Sequence, residues 1–355
     1  MTLELSLVRK QRALTRTASN ARGRWLSRES IELCLSDVRL SGWGEAAPLP
    51  GYSDDTLEQA ETALSLWMAP VQLAHIEQLA GRGTVEPHTL IAGLSLFDGV
   101  AVPSARFALE TAVLALVAAR RQQPLHELLR AMRPATAFPE MVPLAQLIEL
   151  EMAERDAEVA LGAGFSTLKF KIGRPGAFTQ EIAALTQLRT RFGFGFALRL
   201  DANRSLRREQ ARDYFAALAP LRPEFVEEPL LPDEVSLEDP EIPIALDESL
   251  RQDTVATSDT WLAQRVAALV LKPTALGGFG ATFRLVDRAR ELGIAPLVSH
   301  TFEGPLAYHA LCALALAMPP SRFAHGLGPH SGLDSDASEL GLRHGKLWAA
   351  SPSLP

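Results

Sequence analysis

With 355 residues, 47% of them apolar and 22% charged, the chain has ordinary globular composition and enough length for a large α/β domain with a smaller companion. A formal charge of −7 and the lack of any Lys/Arg block argue against a nucleic-acid or anionic-membrane surface. No apolar run approaches the roughly 18 residues of a membrane span, and the N-terminus shows no secretory pattern, so a cytoplasmic protein acting on small molecules is expected.

In chain order, residues 2–9 and 30–38 alternate as strands, with a polar, Arg-containing loop "TASNARGRWLS" between them. "GWGEAAPLPGYSDDTLEQAETAL" ends a strand, turns at Gly and Pro and starts a helix, with Ser53 near its cap. Helical "TLEQAETALSLWM" and "SARFALETAVLALVAARR" follow. This gives an α+β capping domain over 1–115, with 116–330 forming a second domain and 331–355 packing back on the first. Cys34 and Cys312 lie far apart in apolar or alternating context, as small hydrophobes rather than a disulfide or metal pair.

From about residue 140, short apolar segments alternate with amphipathic stretches: "MVPLAQL", "STLKFK", "FALRLD", "EFVEE", "IPIALD", "AALVLK", "APLVS" and "RFAHGL". Polar ends at Lys171, Asp201, Glu227, Asp247, Lys272 and Ser299 follow one another at intervals of 30, 26, 20, 25 and 27 residues, each the length of a βα unit. The expected fold class is α/β, a modified TIM-type (β/α)7β barrel whose active site sits at the C-terminal strand ends.

Lysine is scarce, at positions 10, 169, 171, 272 and 346 only. Arg cannot give up its proton, whereas Lys can be tuned to do so by burial and a neighbouring cation. Lys169 and Lys171 share a strand face, with an exposed strand end as the bland alternative for a lone pair. Asp201, Glu227 and Asp247 end neighbouring strands, and converging acids call for a hard divalent ion, Mg²⁺ or Mn²⁺. Asn203, Glu228 and Glu248 stand behind them. Lys272 faces the lysine pair across the mouth, a layout for removing a proton next to a carboxylate. Glu303 is either near the ligands or a helix cap, and His300 reads as a packing or loop histidine rather than a base. Ser299, Glu303, Gly326 and Trp25 are candidate substrate contacts, Trp25 through the loop near the N-terminus.

The set "KFKIG", "LDAN", "EEP", "LDES" and "LKPTALGG", with the early "GWGEAAPLPGYS", resembles the enolase superfamily, specifically its muconate-lactonizing subgroup, over nearly the whole chain. The resemblance implies Lys171 as acid/base, Lys169 as its partner, Lys272 as the opposite-face lysine, and Asp201, Glu227 and Asp247 as Mg²⁺ ligands. Dipeptide epimerases of the subgroup carry Asp-x-Asp at the eighth strand end, where this chain reads "HGLGP"; "LDSD" at 333–336 comes too late. "DESLR", "SHTFEGPLA" and the closing "GLG" look more like o-succinylbenzoate synthases of the menaquinone pathway. That implies a Mg²⁺-dependent lyase dehydrating a carboxylate substrate. The alternatives are an N-acylamino acid racemase or dipeptide epimerase, and a non-catalytic metal-binding barrel. Oligomeric state is not legible.

Overall fold

The computed structural model describes residues 3–20, 23–81, 85–133, 137–234, 242–251, 259–331, 333 and 341–349, without side chains for 16–20, 23 and 24. The chain opens with β1 (Glu4–Asn20), β2 (Gly23–Ser36) and β3 (Ser41–Ala46), an antiparallel sheet in that order. β1 and β2 stay paired from Glu4 opposite Ser36 out to Asn20 opposite Gly23, with a register shift between Ala13 and Ala18. Most of the expected polar loop is therefore paired strand. Backbone pairing in a projecting ribbon does not require apolar alternation, so the period-two signal fades while the hydrogen bonds continue.

Helices α1 (Leu57–Ser65), α2 (Pro70–Ala80), α3 (Pro87–Gly93) and α4 (Pro103–Arg120) complete this part. The α1 cap is Thr56, in a reciprocal capping box with Gln59, rather than Ser53. The Ser53 hydroxyl instead accepts from the Leu49 amide at 2.9 Å, tightening the turn before the helix. α4 packs along β3 so closely that Gly42 and Gly44 are obligatory: a Cβ on either would lie 2.0 Å from an α4 carbonyl oxygen. The division expected at 115/116 falls inside α4, and α5 (Leu125–Met132) then leads toward the second domain.

"MVPLAQL" forms two strands. β4 (Met141–Pro143) and β5 (Ala145–Ile148) are followed by α6 (Ala153–Gly162), β6 (Thr167–Lys171), α7 (Phe178–Phe192), β7 (Ala197–Asp201), α8 (Arg208–Leu218), β8 (Pro223–Glu227) and β9 (Ile244–Leu246). Then come α9 (Asp259–Arg265), β10 (Val266–Leu271), α10 (Pro273–Leu276), α11 (Gly278–Glu291), β11 (Ala295–Val298), α12 (Pro305–Leu316), β12 (Leu342–Arg343) and β13 (Lys346–Trp348). β5 to β11 form one parallel seven-stranded sheet in chain order. Parallel bridges from His325 to Leu144 and from Gly326 to Ser299 join its two edges and close the barrel. The expected eighth strand at "RFAHGL" is thus reduced to a two-residue closure. β13 pairs antiparallel with β4. The described part of the C-terminal segment therefore returns mainly to β4, in a small sheet just ahead of the barrel's first strand, rather than to the capping domain, although the Ser331 carbonyl accepts from the Thr15 amide of β1 at 2.9 Å.

Along β6 and β7 the side chains alternate. Leu168, Phe170, Leu198 and Leu200 are buried toward the helices, while Lys169, Lys171, Arg199 and Asp201 turn inward. Lower in the barrel, Phe225, Ala245, Ala268, Val270, Leu297 and Phe323 form an apolar floor.

Candidate active site

Lys171, Asp201 and Glu227 are the last residues of β6, β7 and β8, and the register sets Lys171 opposite Asp201 and Asp201 opposite Glu227. Asp247 and Lys272 directly follow β9 and β10. Two ion-paired groups result. Lys169 Nζ lies 2.8 Å from Asp201 Oδ2 and 2.8 Å from both Glu227 carboxylate oxygens. Lys272 Nζ pairs with Asp247 Oδ2 and donates to Tyr52 Oη at 3.0 Å, and Tyr52 Oη donates to Asp247 Oδ1 at 2.8 Å.

Charge state follows from this placement. Burial pulls the Lys171 pKa down to about 8, helped by Lys169 and Lys272 and opposed by Asp201 and Glu149. Burial also works against the charge on Lys272, but Asp247, Glu227, Glu248 and Asp201 outweigh it and hold its pKa above the ordinary lysine range. One cleft therefore holds a lysine able to accept a proton and a lysine kept as a cation. Burial, Asp201 and Asp247 push Glu227 upward, because one ammonium cannot neutralise two carboxylates.

Tyr52 is a site residue that strand-end reasoning misses. It reaches in from the capping domain and lines the same cleft as Lys169, Lys171 and Lys272. Arg251 lies over its ring at 4.7 Å and donates to its carbonyl at 2.6 Å, which fixes the side chain. Tyr52→Phe is expected to lower stability by about 1.5–3 kcal/mol in urea unfolding, since a buried charged acceptor loses its donor. An unchanged midpoint would show that this bond contributes nothing.

His300, read as a packing or loop histidine rather than a base, lies in the loop after β11 and also lines the cleft. Burial, His330 and the site lysines hold its pKa well below the usual histidine range, so it is neutral, and its Nδ1 accepts from the Phe302 amide at 3.2 Å. The Phe302 ring stands 5.6 Å from Lys171 Nζ.

Of the other residues singled out, Asn203, Ser299 and Gly326 line the cleft. Asn203 sits at φ +46° with its amide donating to Asp201 Oδ1 at 2.9 Å. Ser299 Oγ donates to the Gly326 carbonyl at 3.2 Å, and a Cβ on Gly326 would meet that hydroxyl at 2.5 Å. Glu228 accepts from the Asp247 and Ser249 amides, both at 2.7 Å, so it sets the backbone that presents Asp247. Trp25 and Glu303 are elsewhere. Trp25 packs with Leu49, Tyr52 and Ala275 behind the cleft wall, because its indole donates to the Pro50 carbonyl at 3.2 Å. Glu303 is buried and accepts from Thr301 N and Oγ1 at 2.5 and 2.6 Å and from Thr274 Oγ1 at 2.8 Å, bracing two strand-end loops.

Among the described residues no three His, Cys, Asp or Glu side chains close into a metal cage as placed, because the lysines draw the carboxylates into ion pairs. The donor set nevertheless fits a hard divalent cation. Both carboxylate oxygens of buried Glu248 lack a hydrogen-bond partner among the described residues, and Asp247 and Asp201 add to burial in pushing its pKa upward. Four crowded carboxylates offer only oxygen and carry more negative charge than Lys169 and Lys272 balance.

Comparison with known proteins converges on one group. Residues 151–349 match the enolase C-terminal domain-like family and residues 20–86 match the MenC N-terminal domain. The o-succinylbenzoate synthase of Yersinia pseudotuberculosis is 30% identical over 302 residues, covering 83% of this chain and 80% of that protein. The crystal structure of MenC from Desulfotalea psychrophila superposes with a TM-score of 0.75 at 26% identity, over 98% of this chain and 100% of that one. A dipeptide epimerase from Methylococcus capsulatus shares the fold at the same TM-score, 0.75, but at 23% identity, covering 99% of this chain and 98% of its own. Matches to both domains, with that identity across most of the length, mean that the chain belongs to the o-succinylbenzoate synthase family of the enolase superfamily.

Proposed function

We propose that the protein is a lyase that dehydrates a cyclohexadiene carboxylate to o-succinylbenzoate, a step of menaquinone biosynthesis. The observation that carries this reading is Lys171, half-buried in the cleft and brought down to about 8, with the cation Lys272 in the same cleft. Lys171 Nζ takes the proton from the carbon next to the carboxylate. The carbon–oxygen bond to the ring hydroxyl then breaks, a ring double bond forms, and the hydroxyl leaves as water with the proton that Lys171 returns. Lys272 stays charged and faces the ring, where a cation against a π-face is favourable.

Asp201, Glu227 and Asp247 are the residues proposed to hold Mg²⁺ or Mn²⁺, with Glu248 beside them. A divalent cation there supplies positive charge to the substrate carboxylate as negative charge builds, and such electrostatic stabilisation usually lowers the barrier more than any other single effect. The Methylococcus capsulatus epimerase is described as complexed with Mg and a dipeptide. For this chain the case rests on its own crowded carboxylates.

The cleft lies where Leu49 and Tyr52 of the capping domain meet Lys169, Lys171 and Lys272 of the barrel, the usual kind of place for a small-molecule site.

The rate should depend on pH through Lys171. Only its neutral form accepts a proton, so kcat/KM is expected to rise about tenfold per unit on the acid side and level off near or below about 8, a bound cation moving the limb lower. A limb near the ordinary lysine value of 10.5 would show that the cleft does not lower the base, whereas a rate with no acid limb would remove Lys171 as the base.

The one-base dehydration is tested against the racemase alternative with Lys272→Arg in deuterated water. The variant is expected to keep measurable dehydration, since Arg preserves the charge. Efficient exchange of one enantiomer of an N-acyl amino acid, with no dehydration, would favour a two-base racemase.

A further inference from the structure

The loop between β11 and α12 is gripped by the capping domain at the point where its backbone is least able to hold itself. Phe302 sits at φ +61°, a left-handed conformation that a bulky residue adopts only when its surroundings over-determine it. Both of its backbone polar groups are engaged. The amide donates to His300 Nδ1 at 3.2 Å, and the carbonyl accepts from Arg28 Nε at 3.1 Å.

Arg28 belongs to β2 and is buried. Its Nη1 donates to the Pro48 carbonyl at 3.0 Å and its Nη2 to the Ala47 carbonyl at 2.7 Å. All three of these acceptors are backbone carbonyls, so the rigid guanidinium fork fixes chain geometry, while the nearby Glu303 and Glu45 offset part of the cost of burying its charge. The grip continues past Phe302. The Gly304 and Ala307 amides at the start of α12 donate to Glu45 of β3 at 3.2 and 3.1 Å, and Glu45 is held in turn by Arg12 at 3.1 Å.

We propose that Arg28 is a positioning residue for proton transfer, holding the Phe302 carbonyl so that the ring stays beside Lys171 at 5.6 Å. The capping domain thereby shapes the surroundings of the base without supplying a proton-transfer group. A ring there screens the amine from water and attracts the ammonium that forms when the proton arrives. This rests on the reading of Lys171 as the base.

The test is a double-mutant cycle of Arg28→Lys and Phe302→Gly, read as kcat and KM, with a crystal structure of Arg28→Lys. Glycine takes the left-handed conformation freely and removes the ring, so in its background Arg28 still holds backbone carbonyls but no longer places a ring beside Lys171. Each single variant is expected to lower kcat by about tenfold to a hundredfold, as small misplacements near the chemistry do, with KM within about threefold. Adding Arg28→Lys to Phe302→Gly should cost less than about a further twofold. In the crystal the Phe302 ring should have left its place beside Lys171. Multiplying effects, a loss confined to KM or to thermal stability, or an unmoved ring would overturn the proposal. The crystal comparison decides where the ring sits even if the parent chain fails to dehydrate the substrate, which would overturn the functional reading instead.

Discussion

Replacing Lys171 with alanine is expected to lower kcat by about 10⁴-fold, the upper end of what a positioned general base contributes. The ordinary figure is smaller because water or a neighbouring group often substitutes. Here the base is half-buried, and each potential substitute is committed elsewhere. Lys169 is shared between Asp201 and Glu227, Lys272 is held charged by four carboxylates, and the His300 Nδ1 accepts from a backbone amide. Lys171→Arg should lose nearly as much, although it keeps a cation in place, because a guanidinium cannot take the proton. The comparison separates charge from basicity. If Lys171→Arg retained a tenth of the parent kcat, the role of Lys171 would be electrostatic and the base would lie elsewhere. Single-turnover measurement of proton loss from the substrate decides this without interference from product release.

How far such a site can be read from sequence depends on whether its determinants are local. Lys171, Asp201 and Glu227 were legible because each is the polar terminus of a short apolar run, and parallel strands in chain order bring successive termini together. Period two also put Lys169 on the inward face with Lys171. Tyr52 was not legible. It touches Asp247 and Lys272 across 195 and 220 residues, and nothing in "PLPGYS" says which strand end its ring meets. Phe302 gave no signal of its left-handed backbone, whose carbonyl is held by Arg28, 274 residues earlier. The β1–β2 ribbon was missed for the opposite reason: its pairing is local, but the alternation that advertises a strand requires a buried face. The division of "MVPLAQL" was hidden as well, because β4 pairs with β13 near the C-terminus while β5 enters the barrel.

Neutralising Glu227 is expected to separate metal binding from folding. In the triple variant Asp201→Asn, Glu227→Gln, Asp247→Asn, Lys169 and Lys272 lose their carboxylate partners together, and a buried charge stripped of its partner costs about 3–5 kcal/mol. A loss of activity there could simply mean loss of structure. Glu227→Gln alone avoids this, since Lys169 keeps Asp201 at 2.8 Å and the glutamine oxygen can still accept from it. Removing one of two carboxylates that compete for a single ammonium also relieves repulsion, so the metal-free unfolding free energy should change by no more than about 1.5 kcal/mol. Metal affinity should respond quite differently. Outer groups that merely orient ligands cost about 10–100-fold when removed, so losing a charged donor should weaken Mg²⁺ by at least about 100-fold and take turnover with it at ordinary metal concentrations. Calorimetric titration with Mg²⁺ and with Mn²⁺, alongside urea unfolding of the metal-free protein, reads the two quantities independently. Affinity unchanged by Glu227→Gln would place the cation away from β8, with Glu248 and Asp247 as the next donors to replace.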